Sequence, residues 1–306
     1  MIKRNIAVFF ISLFLLSSCA KTVKIDERYK PYKNLLEILS DFRRHLNDDT
    51  YRFPPAKDIT GKNIYKATLI RLKNYQETHP GYMEDMVSFS MAKAFEKLQD
   101  YEQAIVHYKK LLNTKSRLED EARKNINVCS DFLKLIEMNK KRKQNLNNKS
   151  IEENLESFDD ILKRWVALNK RYNDTPYEYL SKEEEEKADV EKIDFIVKNR
   201  YKFENGVNLA IIGYNQLIEK HKESKNIYSH IIKFGNLYNT LSKEYVAENN
   251  PRGLSFDVNE FNKLAHSALD LYGIVASKDG IPEKVEAKGM IESYQAYIEK
   301  IRREHK

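Results

Sequence analysis

Residues that make turns are scarce in this chain. Nine Gly and seven Pro among 306 residues are too few for a sheet-rich fold built from many tight hairpins. Cysteine is scarcer: there are two, Cys19 and Cys129, so no framework of internal disulfides is available. The longest N-terminal apolar run, Ile6 to Leu16, falls well short of the roughly 20 residues that a membrane-spanning helix needs. Signatures of chemistry are missing as well. The seven His, at 45, 79, 107, 221, 230, 266 and 305, form no H-E-x-x-H and sit beside no Cys pair. "ITGKN" has a Gly-Lys but lacks the upstream Gly and the following Ser or Thr of a phosphate-binding loop, and neither G-x-S-x-G nor G-x-G-x-x-G occurs. No catalytic, cofactor-binding or metal-binding residue is therefore assigned.

What the chain has in quantity is charge and helical periodicity. Charged residues are 32% of the total, with 53 basic against 46 acidic side chains and a pI near 9.0. Apolar residues recur with a period of 3.6, and with so few turn formers this predicts an all-α chain. The two signs are interspersed, which describes a solvated surface more than a basic stripe for nucleic acid, and no nucleic-acid partner is expected.

The order of features at the N-terminus is specific. Lys3 and Arg4 precede the short apolar run, and the small residues Ser17 and Ser18 follow it, the layout of a secretory signal. The exit reads Leu16-Ser17-Ser18-Cys19, which resembles the lipobox of bacterial lipoproteins. That resemblance implies cleavage before Cys19, acylation of its thiol by fatty acids such as palmitate, and a membrane anchor made of lipid. Cysteine suits the role because a thiolate is the side chain most readily alkylated at neutral pH. Ala20 and Lys21 follow, with no Asp behind the Cys, which by resemblance to enterobacterial sorting points to the outer membrane facing the periplasm. The expected organisation is a signal at 1–18, a lipidated tether at 19–32 and a helical block at 33–140. A linker with one helix and an acidic helix start is expected at 141–187, and a second helical block at 188–306.

Several helix starts are written locally. Ser150-x-x-Glu153, Ser181-x-x-Glu184 and Asp257-x-x-Glu260 place a capping side chain three residues before a carboxylate. On this reading Glu183 to Glu186 are a solvated first turn meeting the positive end of the helix dipole. Lys140 to Lys143 read as cations at a helix C-terminus, with an anion-binding role left open. Cys129 in "NINVCSDFLKLI" and Trp165 in "FDDILKRWVALNKRY" both fall on apolar helical faces and read as core.

Internal repetition gives the architecture. In "MVSFSMAKAFEKLQDYEQAIVHYKKLLN", Ala92 with Phe95, Tyr101 at the turn, and Ala104 with Tyr108 resemble a tetratricopeptide repeat at about 85–118. Fainter traces pair Gly235 with Tyr238, Ala268 with Tyr272, and Ala210 with Tyr214. The small residues are needed because only they let two helices cross closely. The resemblance implies a degenerate solenoid of helical hairpins whose first helices line a concave groove. Carried onto this sequence, the groove positions are Met86, Phe89, Lys93 and Glu96 in the first repeat, and Ser229, Ile232, Asn236 and Asn239 in the later one. Phe89, Lys93, Glu96, Asn236 and Asn239 are the expected partner-binding residues. In layout the chain resembles the tetratricopeptide lipoproteins of outer-membrane and pilus-secretin assembly, which bind protein partners and catalyse no covalent chemistry. The expected function is a non-catalytic scaffold for an envelope protein or an extended peptide segment. The rival is a helical lipoprotein that binds or cleaves cell wall, since glycosidase carboxylate pairs are spatial and 46 acidic residues leave that open. The loop "RRHLNDDTYRFPPAKDITGKNIY" adds a second candidate surface, with Arg43, Arg44, Tyr51, Arg52 and Phe53, residue types enriched at recognition sites.

Overall fold

The structure is a computed structural model that describes residues 30–47, 53 and 58–305. Cys19, the expected signal and most of its tether, and Tyr51 and Arg52 of the aromatic loop lie outside the described residues. Among the described residues the chain is all-helical, as its composition predicts. In chain order the helices are α1 (Pro31–Asn47), α2 (Ile59–Thr78), α3 (Glu84–Lys97), α4 (Tyr101–Lys109), α5 (Glu119–Asn145), α6 (Ile151–Tyr172), α7 (Glu178–Asn199), α8 (Gly206–Lys220), α9 (Ile227–Glu248), α10 (Val258–Ala276) and α11 (Glu283–His305). None of them is long and apolar enough to cross a membrane. The chain divides into two compact units, with the boundary inside α5 between Glu137 and Met138.

In the N-terminal unit each helix packs on its predecessor through one apolar face. Leu35 and Ile38 of α1, Leu72 and Tyr75 of α2, and Val87 and Met91 of α3 form one buried cluster. Phe42 meets Tyr65 edge-on at 6.2 Å, with Ala94 beside them. Each large apolar side chain buried this way contributes about 1.5–3 kcal/mol. Asp58 caps α2 by accepting from the Gly61 N–H at 2.8 Å, and Asp100 caps α4 by accepting from Gln103 N–H at 3.2 Å. Between α3 and α4 the turn passes through Gln99 at φ 62°. Ala92 of α3 and Ala104 of α4 are both inaccessible. Tyr101 stacks on Phe132 of α5 at 5.7 Å, and Cys129 is fully buried, as its helical spacing predicts.

The C-terminal unit continues the pattern of neighbours packing in order. Trp165 is 1% exposed on α6, also as its spacing predicts. The side chains of Ile193, Ile196, Ala210, Tyr214, Leu217, Phe234 and Leu237 build the core of α7, α8 and α9. A second core joins α9, α10 and α11 around Phe261, Ala265, Tyr272, Tyr294 and Ile298. Two glycines are required by geometry. A Cβ on Gly235 would stand 2.6 Å from the Tyr272 ring, and one on Gly206 would stand 1.9 Å from the Arg200 carbonyl oxygen. Gly235 thus lets α9 and α10 touch, and Gly206 lets α8 start immediately after the turn at Arg200–Lys202.

The local helix signals divide. Ser150 forms the expected reciprocal cap, accepting from Glu153 N–H at 3.1 Å while Ser150 N–H donates to Glu153 at 2.7 Å. Asp257 caps α10, accepting from Asn259 N–H. Ser181 is not a cap. Helix α7 begins at Glu178, and Ser181 lies fully buried inside it with its hydroxyl donating to the Glu178 carbonyl at 2.9 Å. Leu180, 1% exposed, draws the chain into the helix earlier than the Ser-x-x-Glu pattern suggests. The acidic run therefore sits in the body of α7, and it is not a solvated first turn. Lys140 to Lys143 lie in α5, which runs to Asn145, and Arg142 and Lys143 stand in its last turn, at the helix C-terminus.

Candidate functional site

Of the expected groove residues, those of the first repeat are largely consumed by their own hairpin. Glu96 is 1% exposed and accepts the Tyr108 hydroxyl at 2.6 Å and the Lys93 ammonium at 3.3 Å. The Phe89 ring meets Tyr108 edge-on at 5.5 Å, and Lys93 is half-buried beside Glu96. Phe53 takes the Lys97 ammonium over its face at 3.8 Å, so this aromatic ahead of α2 is packed. The Cys129 thiol below has its pKa pushed up by burial and by the nearby Glu96 carboxylate, so it is protonated and inert.

The later segment is exposed to the same degree: Ser229, Asn236 and Asn239 are half-buried and Ile232 is buried, just as Met86, Phe89 and Lys93 are half-buried and Glu96 is buried in the first. Ile232 is buried and belongs to the core, so it is not a groove contact. Asn236 accepts the Tyr272 hydroxyl at 2.6 Å, and Asn239 donates to that same oxygen at 3.4 Å. The two amides fix the tyrosine that passes beneath Gly235. Asn236 also lines a recess of about 210 Å³ with Asp194, Arg200, Tyr214, Lys233 and Thr240. Lys233 and Asp194 are paired across it at 3.2 Å, and Thr240 is exposed at its edge. The five expected partner-binding residues thus fall in two units: Phe89, Lys93 and Glu96 in one, Asn236 and Asn239 in the other.

The most organised polar cluster was not foreseen. Glu186 of α7, 6% exposed, receives His230 Nε2 at 2.6 Å, the Ser224 hydroxyl at 2.7 and 2.8 Å, and Asn226 at 3.4 Å. Because an ionised carboxylate only accepts, the proton between Glu186 and His230 is on Nε2. His230 Nδ1 is then a buried nitrogen without a partner. Next to this, Lys220 joins Glu185 at 2.5 Å and Asp189 at 2.6 Å, and His221 Nε2 meets Asp189 at 2.9 Å. Burial raises the pKa of Glu186 and of Asp189, but the hydrogen bonds from His230 and Ser224, and from His221 and Lys220, outweigh it and hold both below the usual range. Burial lowers the Lys220 pKa, and its two carboxylates reverse that to leave it raised. Around this cluster lies a cavity of about 510 Å³ that also includes Asn169, Tyr179, Glu183 and Lys225. A carboxylic acid that donates a proton to a leaving group needs a raised pKa. Glu186 and Asp189 have the opposite, and the carboxylates of Glu185, Glu186 and Asp189 are each committed to a cation or a donor. This arrangement ties α7, α8 and α9 together. Among the described residues, no group of His, Cys, Asp and Glu is placed to hold a metal ion.

No family model matches the chain, and no curated protein matches it in sequence.

Proposed function

We propose that this chain is a lipid-anchored scaffold whose tetratricopeptide-like hairpins bind another protein of the cell envelope, without covalent chemistry of its own. The anchor rests on Cys19 in its signal context, and the outer membrane facing the periplasm is its assigned location. The repeat reading is supported by small residues buried at its register positions: Ala92 and Ala104 are inaccessible in one unit, and in the other Gly235 leaves room for the Tyr272 ring. The binding reading is carried by one observation: Asn236, which the repeat register assigns to the groove, lines a concave recess formed by residues of α7, α8 and α9 with Arg200 of the turn after α7. The amide, the Lys233–Asp194 pair and the Thr240 hydroxyl offer both donors and acceptors to an extended peptide.

Affinity capture from crosslinked envelopes tests this reading. Thr240→Arg fills the recess from an exposed position, so helicity and melting should stay near wild type while the captured partner is lost. Hot-spot disruptions of this kind cost about 2–4 kcal/mol of binding. Equal recovery with the variant refutes the recess as the binding surface. Cys19→Ser tests the anchor: incorporation of a clickable fatty acid should disappear, and equal labelling of wild type and variant refutes the lipoprotein reading.

A further inference from the structure

A separate cavity of about 700 Å³ opens in the C-terminal unit between the end of α5, the start of α6 and the body of α7. Its apolar side is made by Leu146, Ile151, Phe158 and Phe195, the two rings lying 5.3 Å apart. Its polar side carries five cations, Arg142, Lys143, Lys149, Lys198 and Lys202, against two carboxylates, Glu191 and Asp194. Lys143 is paired with Glu191 at 2.6 Å, and Asp194 with Lys233. Lys149, Lys198 and Lys202 are exposed, and none has a carboxylate within ion-pairing distance among the described residues.

Arg142 is the buried member. Its side chain is 5% exposed, lies over the Phe158 ring at 3.7 Å, and donates to Glu191 at 2.7 Å and Asn139 at 2.8 Å. Its Nη1 has no hydrogen-bond partner. Burial pulls the Arg142 pKa down even with Glu191 beside it, so the carboxylates present do not compensate for the cost of burying this cation. Lys149 is held at the rim because Asn154, 2% exposed, donates to the Lys149 carbonyl at 3.3 Å and the Leu146 carbonyl at 2.9 Å. The site thus combines an apolar floor, three unpaired ammonium groups and an under-compensated guanidinium beneath them. Arg142, being buried, is screened by solvent and salt less than the three exposed lysines.

We propose that this cavity binds an organic phosphate, with the phosphate on Lys149, Lys198 and Lys202 and the apolar substituent against Phe158 and Phe195. Two sources supply that chemistry, a soluble phosphate monoester and an anionic phospholipid headgroup with its first methylenes. A mixed floor and rim distinguish the site from one for inorganic phosphate alone, because the rings contribute only to a ligand that carries apolar surface.

Calorimetric titration of the full chain decides it, using inorganic phosphate, phenyl phosphate, dihexanoyl phosphatidylglycerol and dihexanoyl phosphatidylcholine, the lipids below their micelle concentrations. Phenyl phosphate or the phosphatidylglycerol should bind about tenfold or more tighter than inorganic phosphate. Lys149→Ala combined with Lys198→Ala and Lys202→Ala should remove that binding without shifting the melt, since all three side chains are exposed. A preference for phenyl phosphate assigns a soluble ligand, and a preference for phosphatidylglycerol over both it and phosphatidylcholine assigns a headgroup. If neither organic probe binds at millimolar concentration, or the triple variant binds as wild type does, the proposal is overturned.

Discussion

The two units solve the same problem, a buried carboxylate on a packed helix, in different ways. In the N-terminal unit Glu96 is met by Lys93 three residues away and Tyr108 twelve residues away, within one hairpin. In the C-terminal unit Glu186 is met by Ser224, Asn226 and His230, from 38 to 44 residues away, so that α7 and α9 are joined through it. The first acid is satisfied within its own hairpin, and the second only through the packing of α7 on α9. Apart from both, Asn236 and Thr240 line a recess.

The largest way to break this contrast is at Glu186. Glu186→Ala leaves Ser224, Asn226 and His230 without their common acceptor, and removing one partner of a buried ionic cluster costs about 3–5 kcal/mol. Hydrogen exchange should show protection lost in α7 to α9 and retained in α3 and α4. Overpacking comes next. Ala104→Trp places an indole at an inaccessible helix crossing and should cost about 3 kcal/mol by denaturant melting, while Gln103→Trp, on the exposed face one residue earlier, should change little. Gly235→Ala forces a methyl group to within 2.6 Å of the Tyr272 ring, and since that tyrosine is inaccessible the expected loss is about 1–3 kcal/mol. Smallest is Arg123→Ala, which removes an exposed pair to Glu119 and should cost below about 1 kcal/mol.

Acid sharpens the comparison further. Glu186 and Asp189 have folded pKa values below their unfolded ones, so the stability they contribute is full above the ordinary carboxylate range of about pH 4 to 4.5 and is lost as pH falls through the lower folded values. Stability of α7 to α9 should therefore drop steeply below that range. In Glu186→Gln the drop should be shallower, as followed by exchange or urea melts at a series of pH values.

What could be read from the sequence follows the same division by distance along the chain. The helical class, the Ser150 cap and the burial of Cys129 and Trp165 all depend on residues within one or two turns, and these were legible. Ser181 misled because its Ser-x-x-Glu pattern is a local signal that Leu180, by burying against the core, overrides. The Glu186 cluster was illegible because Ser224, Asn226 and His230 reach it only through the packing of α7 on α9, and no spacing in the sequence encodes that. Glu96 was placed on the groove by repeat register, but a nearby Tyr108 hydroxyl gave it a buried partner, which the register of a repeat does not include. Asn236 lines a recess, on a turn of α9 that Gly235 and Tyr272 hold in place.

The central claim is that partner contact belongs to the recess of the C-terminal unit. A photocrosslinking amino acid placed at Thr240, and separately at exposed Gln103 of the first hairpin, tests it in intact envelopes. A discrete protein adduct is expected from position 240 and none from position 103. An adduct from 103 alone, or no adduct from 240, would contradict it.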